Sequence, residues 1–226
     1  MHSTNSIVFI VNSDVILRSA LERAVRAGGF NVVAFGSVAA YRAYLKPDLP
    51  ACHVLDASLP DMSGLALQAS LASSDAAAVV FVARKADIAS SARAFKAGAV
   101  DFLAAPVVDA DLLRAIASAL RQAEEQRARS QRMMTLQLRW DQLTAREREV
   151  LMLVVSGCLN KQVASELGIS EITVKAHRGR VMAKMLADSF ADLVRMAAEL
   201  KLPLIAARHV ARYAEIRRQE TAVAYA

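Results

Sequence analysis

The sequence predicts a doubly wound α/β domain followed by an all-α domain of four helices. Short apolar runs alternate with helical patterns in the first half of the 226-residue chain, which is typical of parallel βαβ units with helices on both faces of the sheet. After Leu143 no strand pattern occurs, and helical segments follow one another between capping residues and glycines. The length suits two domains of ordinary size.

Five apolar runs in the first half predict the strands of the sheet. They cover residues 7–11, 30–35, 53–55, 78–83 and 100–103. The helical patterns between them cover residues 14–27, 38–45, 64–73 and 87–97. Ligands of such sheets bind at the carboxyl ends of the strands, so we expect the functional residues of this half to lie there.

A further helix begins near Asp109 and continues through the polar segment AEEQRARSQRMM, which contains no glycine or proline. This composition favours an exposed helix that joins the two domains and pairs with its copy in a dimer, rather than a flexible coil. We expect a first domain at residues 1–122, a helical linker at 123–138, a helical domain at 139–203 and a C-terminal extension, helical or disordered, at 204–226.

Start and stop signals predict four helices in the second half. Thr144 and Glu147 form a capping box at the start of the first helix, in which each side chain accepts a hydrogen bond from the other residue's backbone. Asn160 and Ser170 are predicted to cap the second and third helices, and the fourth covers residues 189–200. The predicted stops are Gly157, Gly168 and Pro203.

The charge of the chain is uneven. Residues 1–122 contain 11 basic and 10 acidic side chains, a net charge of +1, whereas residues 123–226 contain 17 and 12, a net charge of +5. This excess indicates an anionic partner for the second half. Two helices joined by a glycine-containing turn, of which the second opens with a cap and has a basic face, are typical of a helix-turn-helix.

Composition excludes several classes of protein. No uninterrupted apolar run approaches about 18 residues, so we expect no transmembrane helix and no membrane contact. The start lacks the basic region of a signal peptide, and Cys52 and Cys158 form neither a disulfide framework nor a metal-site spacing, which favours the reducing cytoplasm. Without a glycine-rich phosphate loop, zinc spacing or nucleophile–base motif, we expect neither an enzyme nor a bound cofactor or metal.

The second half closely resembles the LuxR-type helix-turn-helix. The resemblance is carried by the segment LTAREREVLMLVVSGCLNKQVASELGISEITVKAHRGRVMAKM and by SFADLVRMA, which matches the usual fourth helix. It covers residues 139–200 without a gap. It implies a four-helix domain that binds double-stranded DNA, dimerises through its last helix and recognises inverted half-sites.

The resemblance also assigns side chains to the DNA interface. Asn160 and Lys161 open the scaffold helix near the DNA backbone, and Lys184 is placed near phosphates. On or beside the reading face lie Thr173, Lys175, Ala176, His177, Arg178 and Arg180. The core and framework positions are Glu147, Leu151, Val163, Ala164, Leu167, Ile169 and Val174. For His177, packing or capping is the alternative to a DNA contact.

The first half resembles the receiver domain of two-component response regulators, in particular the FixJ/NarL group. The resemblance is carried by HVLDASLPDMSG around Asp56 and by KAGAVDFLAAP around Pro106. It implies a flavodoxin-like or CheY-like sheet and the transfer of a phosphoryl group to Asp56 at the end of the third strand. That chemistry uses acidic ligands for Mg²⁺, together with a hydroxyl and a lysine that engage the phosphoryl oxygens.

The sequence departs from the receiver pattern at three parts of the pocket. Asn12 and Ser13 stand where the family has an acidic pair, and Asp14, one residue later, is expected to point elsewhere. The position of the hydroxyl is occupied by Ala83, and that of the lysine by Ala105.

The aromatic position of the receiver pattern is retained as Phe102, and the phosphoacceptor position as Asp56. A Mg²⁺ ion would nevertheless meet a single carboxylate, and a phosphorylated Asp56 would carry a charge of about −2 with no fixed cation beside it. We therefore predict a degenerate receiver in which Asp56 is not phosphorylated.

Three hypotheses of function remain open from the sequence. The first is a homodimeric, sequence-specific transcription regulator that acts without phosphorylation. The second is a conventional response regulator phosphorylated at Asp56, and the third is a module that sequesters another regulator and binds DNA poorly, which the intact recognition helix disfavours. RNA polymerase is a further candidate partner, whereas a cognate histidine kinase is not expected. Oxidation of Cys52, Cys158 or the Met133–Met134 pair is a less favoured input.

Overall fold

The computed structural model describes residues 6–71, 77–84 and 88–203. The chain divides into two compact units, Met1–Ser130 and Gln131–Ala226. The predicted C-terminal extension, residues 204–226, lies outside the described residues. No helix in the described part of the chain is long and apolar enough to cross a membrane.

The first unit is built on a parallel sheet of five strands, which confirms the predicted fold class. The strands are β1 (Ile7–Val11), β2 (Val32–Phe35), β3 (Ala51–Asp56), β4 (Ala77–Ala83) and β5 (Asp101–Ala104). Their spatial order is β2-β1-β3-β4-β5, so the direction of winding reverses between β1 and β3. In a doubly wound sheet, ligands bind at the carboxyl edge beside this reversal.

Helices connect the strands and pack on the sheet. They are α1 (Val15–Ala27), α2 (Val38–Ala43), α3 (Gly64–Leu71), α4 (Ile88–Lys96) and α5 (Asp109–Asp141). Several predicted bounds differ from the observed ones: the second strand begins only at Val32, α2 ends at Ala43, and the third strand, predicted at residues 53–55, covers Ala51–Asp56. Phe30 precedes the strand but is buried in the core, which explains why the apolar run includes it.

Each face of the sheet has its own buried cluster. Val8 and Ile10 of β1 belong to the cluster that contains α1 and α5 side chains, whereas Phe9 and Val11 belong to the cluster with α2 and α3 side chains. Successive side chains of a strand point to opposite faces, so a strand covered on both faces is apolar throughout. The same two-sided burial explains the short apolar runs of the other central strands.

The linker predicted as a helix is part of α5, a single helix of 33 residues. Within the first unit, α5 buries Leu112 and Ile116 in the sheet cluster. Further along, Arg127 donates two hydrogen bonds, of 2.6 and 2.7 Å, to the carboxylate of Asp48 in the loop before β3. A bidentate guanidinium–carboxylate pair fixes orientation as well as distance, so this pair holds α5 against the loop.

The second unit contains the end of α5 and four further helices, α6 (Ala145–Val155), α7 (Asn160–Leu167), α8 (Glu171–Met185) and α9 (Phe190–Glu199). The capping box of Thr144 and Glu147 is present at the start of α6, and Ser170 caps α8 by accepting from the backbone N–H of Thr173 at 3.1 Å.

One predicted cap is wrong. Leu159 occupies the cap position of α7, and Asn160 is its first helical residue. The side-chain oxygen of Asn160 accepts a hydrogen bond from the guanidinium of Arg178 at 2.6 Å. The oxygen that would cap α7 is therefore used in a contact between α7 and α8.

Candidate functional site

The α7–α8 pair has the local geometry of a helix-turn-helix. Gly168 ends α7 with a φ of 64°, a left-handed conformation that glycine adopts without steric penalty. Two residues later Ser170 caps α8, and Val174 of α8 joins Val163 and Ala164 of α7 in one buried cluster. This packing decides which face of α8 is covered by the protein and which is exposed.

The exposed face of α8 carries much of the predicted DNA interface. Thr173, Lys175, Ala176 and Arg180 are exposed, and Lys161 is exposed at the start of α7. No ion pair among the described residues involves Lys161, Lys175 or Arg180. These three cations are accordingly placed to meet an external anion such as a phosphate.

Arg178 lies at the junction of three helices. Besides its hydrogen bond to Asn160 of α7, its guanidinium lies 5.3 Å from the centre of the Phe190 ring at the start of α9. The side chain is partly buried. The structure thus brings together Arg178 and Asn160, two predicted interface residues, in a contact that orients α7 against α8.

Lys184 has a partner inside the protein. Its ammonium lies 2.6 Å from a carboxylate oxygen of Glu147 and 3.3 Å from the carbonyl oxygen of Gln142. Burial raises the pKa of Glu147, but hydrogen bonds from Lys184 and from Thr144 outweigh this effect and hold the pKa below its usual value. The structure therefore places Lys184 beside the buried Glu147, and not among the exposed cations of α8.

His177 is partly buried, and its Nδ1 atom has no hydrogen-bond partner in the part of the chain that the structure describes.

The predicted framework positions are all at least partly buried. Five of those side chains are fully buried, namely Glu147, Leu151, Val163, Ala164 and Val174. Leu167 and Ile169 are partly buried against the same cluster.

At the carboxyl edge of the sheet, Asp56 is the last residue of β3. One of its carboxylate oxygens accepts a hydrogen bond from the backbone N–H of Ser58 at 2.9 Å. Burial raises the pKa of Asp56, and the Ser58 hydrogen bond opposes that rise only in part. The loop folds tightly over this strand end, because a Cβ atom at Gly64 would collide with the Asp56 carbonyl oxygen.

Asn12 follows β1 beside this position, since Val11 of β1 is in register with Leu55 of β3. The Asn12 side chain is 1% exposed, its oxygen accepts from the Asp14 N–H at 2.8 Å, and its Nδ2 donor has no partner among the described residues. Ser13, the next residue, is exposed.

Asp14 is directed at its own helix and at a neighbouring loop. One carboxylate oxygen caps α1 by accepting from the N–H groups of Ile16 at 2.9 Å and Leu17 at 3.2 Å. The other forms an ion pair with Arg84, which follows β4. Arg84 was not predicted from the sequence, because no local pattern relates it to a carboxylate 70 positions earlier.

The two alanines of the pocket are neighbours, and neither supplies a polar side chain. The backbone N–H of Ala105 donates to the carbonyl oxygen of Ala83 at 2.8 Å. Phe102 is partly buried, with its ring centre 6.0 Å from that of Phe81. Asp56, Asn12, Ala83 and Ala105 thus lie at the ends of neighbouring strands.

This donor set fits Mg²⁺ poorly. Mg²⁺ binds through carboxylates and retains several waters, yet here Asp56 is accompanied by an amide at Asn12 and a hydroxyl at Ser13. The remaining carboxylate of the β1–α1 loop, Asp14, is engaged by Arg84 and by the start of α1. Among the described residues there is no group of three or more His, Cys, Asp or Glu side chains that could hold a metal ion.

Both cysteines are buried. Burial raises the pKa of the Cys52 thiol and also that of the Cys158 thiol. Reactive cysteines are partly exposed and have a lowered pKa, so neither environment favours the oxidation hypothesis.

Comparison with known proteins gives matches over both units. Residues 8–117 match the response regulator receiver domain, and residues 141–197 match the bacterial regulatory proteins of the luxR family. The chain is 43% identical to nodulation protein W of Bradyrhizobium diazoefficiens over 88% of each protein. It is 35% identical to the transcriptional regulatory protein FixJ of Rhizobium meliloti, over 86% of this chain and 96% of that protein.

A solved structure is similar over both units. The response regulator StyR is 39% identical and superposes with a TM-score of 0.75, covering 87% of this chain and 100% of that one.

Proposed function

This chain belongs to the response regulators that join a receiver domain to a LuxR-type DNA-binding domain, and on that premise we propose that it regulates transcription without phosphorylation of Asp56. The observation that supports this proposal most strongly is the composition of the pocket. Asn12, Ala83 and Ala105 replace an acid, a hydroxyl and a lysine, and the nearby carboxylate of Asp14 is engaged by Arg84.

The electrostatics of the pocket support the same proposal. Dehydration of Mg²⁺ is costly and needs several charged or polar oxygens in compensation. A phosphorylated Asp56 would add a charge of about −2, and Ala83 and Ala105 offer no hydroxyl or ammonium to compensate for it. Arg84, which follows β4, is one candidate for a replacement cation, but its charge is balanced by Asp14.

DNA binding is a property of the family, and the interface proposed here is the exposed face of α8 with the start of α7. In this arrangement Lys161, Lys175 and Arg180 meet phosphates or guanine edges, and Thr173 and Ala176 lie against the groove. Asn160 and Arg178 hold α7 and α8 in position. We further propose that two copies bind an inverted repeat, because a two-fold symmetric dimer presents two such helices to two half-sites.

One observation supports the alternative of a conventional response regulator that is phosphorylated at Asp56. Asp56 lies at the end of β3, half-buried and at the carboxyl edge of the sheet, and similar proteins are named as response regulators. Phosphorylation of Asp56 is therefore the specific competitor that an experiment must separate from the proposal.

Affinity selection of genome fragments with purified, never-phosphorylated protein tests the proposal. One arm contains Mg²⁺ and a small-molecule phosphodonor, and the other contains neither. Equal enrichment of a short inverted repeat in both arms is expected. Enrichment only with the phosphodonor would establish the conventional alternative, and no enrichment in either arm would favour the sequestering module.

A further inference from the structure

Ile172 is the most exposed large apolar side chain among the described residues of the second unit, at 79%. It lies in the first turn of α8, two residues after the Ser170 cap. A single exposed isoleucine is ordinary on a protein surface, so its exposure carries meaning only through what surrounds it.

The surroundings of Ile172 form a narrow apolar strip along α8. Ala176 is four residues further on and Gly179 is seven, so the three share one side of the helix. Both are exposed, and a Cβ atom at Gly179 would have no heavy atom within 4 Å. Ile172 is thus the bulky end of a thin strip that another molecule can approach closely.

Cations border this strip. Lys175 and Arg180 are exposed on the same helix, and neither takes part in an ion pair among the described side chains. An apolar strip between free cations is poorly suited to an apolar protein partner, which would bury those charges without compensation. It suits the major groove, where phosphates border base edges and the 5-methyl group of thymine is the apolar feature.

We propose that Ile172 is a specificity-determining residue that contacts the 5-methyl group of a thymine in each half-site. This inference rests on the DNA binding described under Proposed function. The aliphatic side chain gains by covering the methyl group. It has no acceptor for the amino group of cytosine or adenine, which would lose its hydration without a new hydrogen bond. Ile172 therefore favours thymine and also disfavours those two bases.

The test uses the operator obtained by affinity selection. Each thymine of one half-site and its symmetry mate is replaced in turn by deoxyuridine, which removes only the 5-methyl group and leaves base pairing intact. Affinities of the full-length protein are compared by fluorescence anisotropy at one salt concentration. At one position we expect affinity to fall by about 3- to 5-fold per half-site, the effect of one buried methyl group.

The variants Ile172→Ala and Ile16→Ala complete the experiment. Ile172→Ala is expected to bind the thymine and deoxyuridine forms of that position equally, while the penalties at other positions stay unchanged. Ile16 is 83% exposed on α1 of the first unit, so Ile16→Ala controls for the loss of an exposed isoleucine side chain and should retain the deoxyuridine penalty.

The outcomes distinguish the thymine contact of Ile172 from the proposed DNA interface on which it rests. Specific binding that is insensitive to deoxyuridine at every position, or a penalty that persists in Ile172→Ala, would overturn the assignment of Ile172 alone. Failure to select any site would overturn both the assignment and the proposed DNA interface.

Discussion

Asp14 and Arg84 form an ion pair that joins the loop after β1 to the residue that follows β4. In the receiver pattern, a hydroxyl at the end of the fourth strand engages the phosphoryl group on the aspartate that ends the third strand. Here the segment after β4 is joined instead to the loop after β1, by an arginine and an aspartate and with no phosphoryl group. The pair therefore fits a receiver whose loop arrangement is set by its own side chains.

Asp14 has two roles, since it caps α1 and pairs with Arg84. Variants that remove one role at a time give the first prediction. Arg84 is 73% exposed, so Arg84→Ala should lower the free energy of unfolding by less than ~1 kcal/mol. Asp14→Ser keeps a side chain able to cap α1 and should have the same small effect. Asp14→Ala loses the cap as well and should cost about 1 kcal/mol more. Urea denaturation measures all three, and equal losses for both Asp14 variants would contradict the capping role.

Rebuilding the pocket gives the second prediction. We expect the combined variant Asn12→Asp, Ser13→Asp, Ala83→Thr and Ala105→Lys to bind Mg²⁺ and beryllofluoride, because it restores the carboxylates, the hydroxyl and the ammonium around Asp56. Isothermal titration calorimetry should detect binding to this variant and none to the natural chain at the same concentrations. The same variant with Asp56→Ala is the matched control, and tight binding by the natural chain would refute the degenerate pocket.

Two lysines of α8 should respond differently to removal. Lys175→Ala should weaken DNA binding and reduce the slope of log affinity against log salt by about 0.9 for each phosphate that the protein no longer neutralises. The measurement is anisotropy over a range of salt concentrations. A slope identical to that of the natural chain would remove Lys175 from the interface.

Lys184→Ala should instead destabilise the second unit, because it leaves the buried Glu147 carboxylate without its cation. Loss of a partner from a fully buried pair is severe, but the Lys184 side chain is 34% exposed, so we expect a smaller loss of ~1–3 kcal/mol. Thermal and urea denaturation report this loss. A changed salt slope with unchanged stability would restore Lys184 to the phosphate contacts.

His53 makes the stability of the first unit depend on pH. Its ring lies 5.3 Å from that of Phe9 and 5.7 Å from that of Tyr41, and its Nδ1 has no partner among the described residues. Burial, and secondarily the charge of Lys46, lower the pKa of His53 from 6.5 to about 4, although a hydrogen bond with the Ala78 backbone opposes this.

Because the folded state holds His53 neutral, the unfolded chain binds its proton first as the pH falls. The contribution of neutral His53 to the free energy of unfolding is therefore fully present above pH ~6.5 and is lost as the pH falls towards ~4. About 2 kcal/mol of this loss falls between pH 7 and pH 5. His53→Phe retains an aromatic ring and should remove this part of the pH dependence in urea denaturation. An unchanged pH profile would contradict the assignment to His53.

Periodic features of the fold were predictable from the sequence, and long-range pairs were not. The five strands follow from apolar runs covered on both faces, and α5 follows from a long segment without glycine or proline. Asn160 was predicted as a cap because its residue type favours that position. Its oxygen is taken by Arg178, 18 residues away, and this competition is invisible in a local pattern.

The receiver pocket and the proposed DNA interface show the same difference between local features, which were predictable, and long-range pairs, which were not. The replacements at Asn12, Ala83 and Ala105 could be read from the sequence by resemblance alone. The pairing of Asp14 with Arg84 and of Lys184 with Glu147 could not, because each joins residues that are distant in the chain. Helical periodicity is compatible with Lys184 either at the DNA interface or beside the core. Only the packing of α6 against α8 brings Lys184 next to Glu147.

The affinity of never-phosphorylated protein for its selected operator shows whether DNA binding depends on phosphorylation of Asp56. The comparison includes the natural chain, the natural chain with Mg²⁺ and a phosphodonor, and the variant Asp56→Ala. We predict the same dissociation constant for all three, because Asp56 takes no part in setting the DNA-binding state. Tighter binding with the phosphodonor that disappears in Asp56→Ala would show that phosphorylation of Asp56 controls DNA binding.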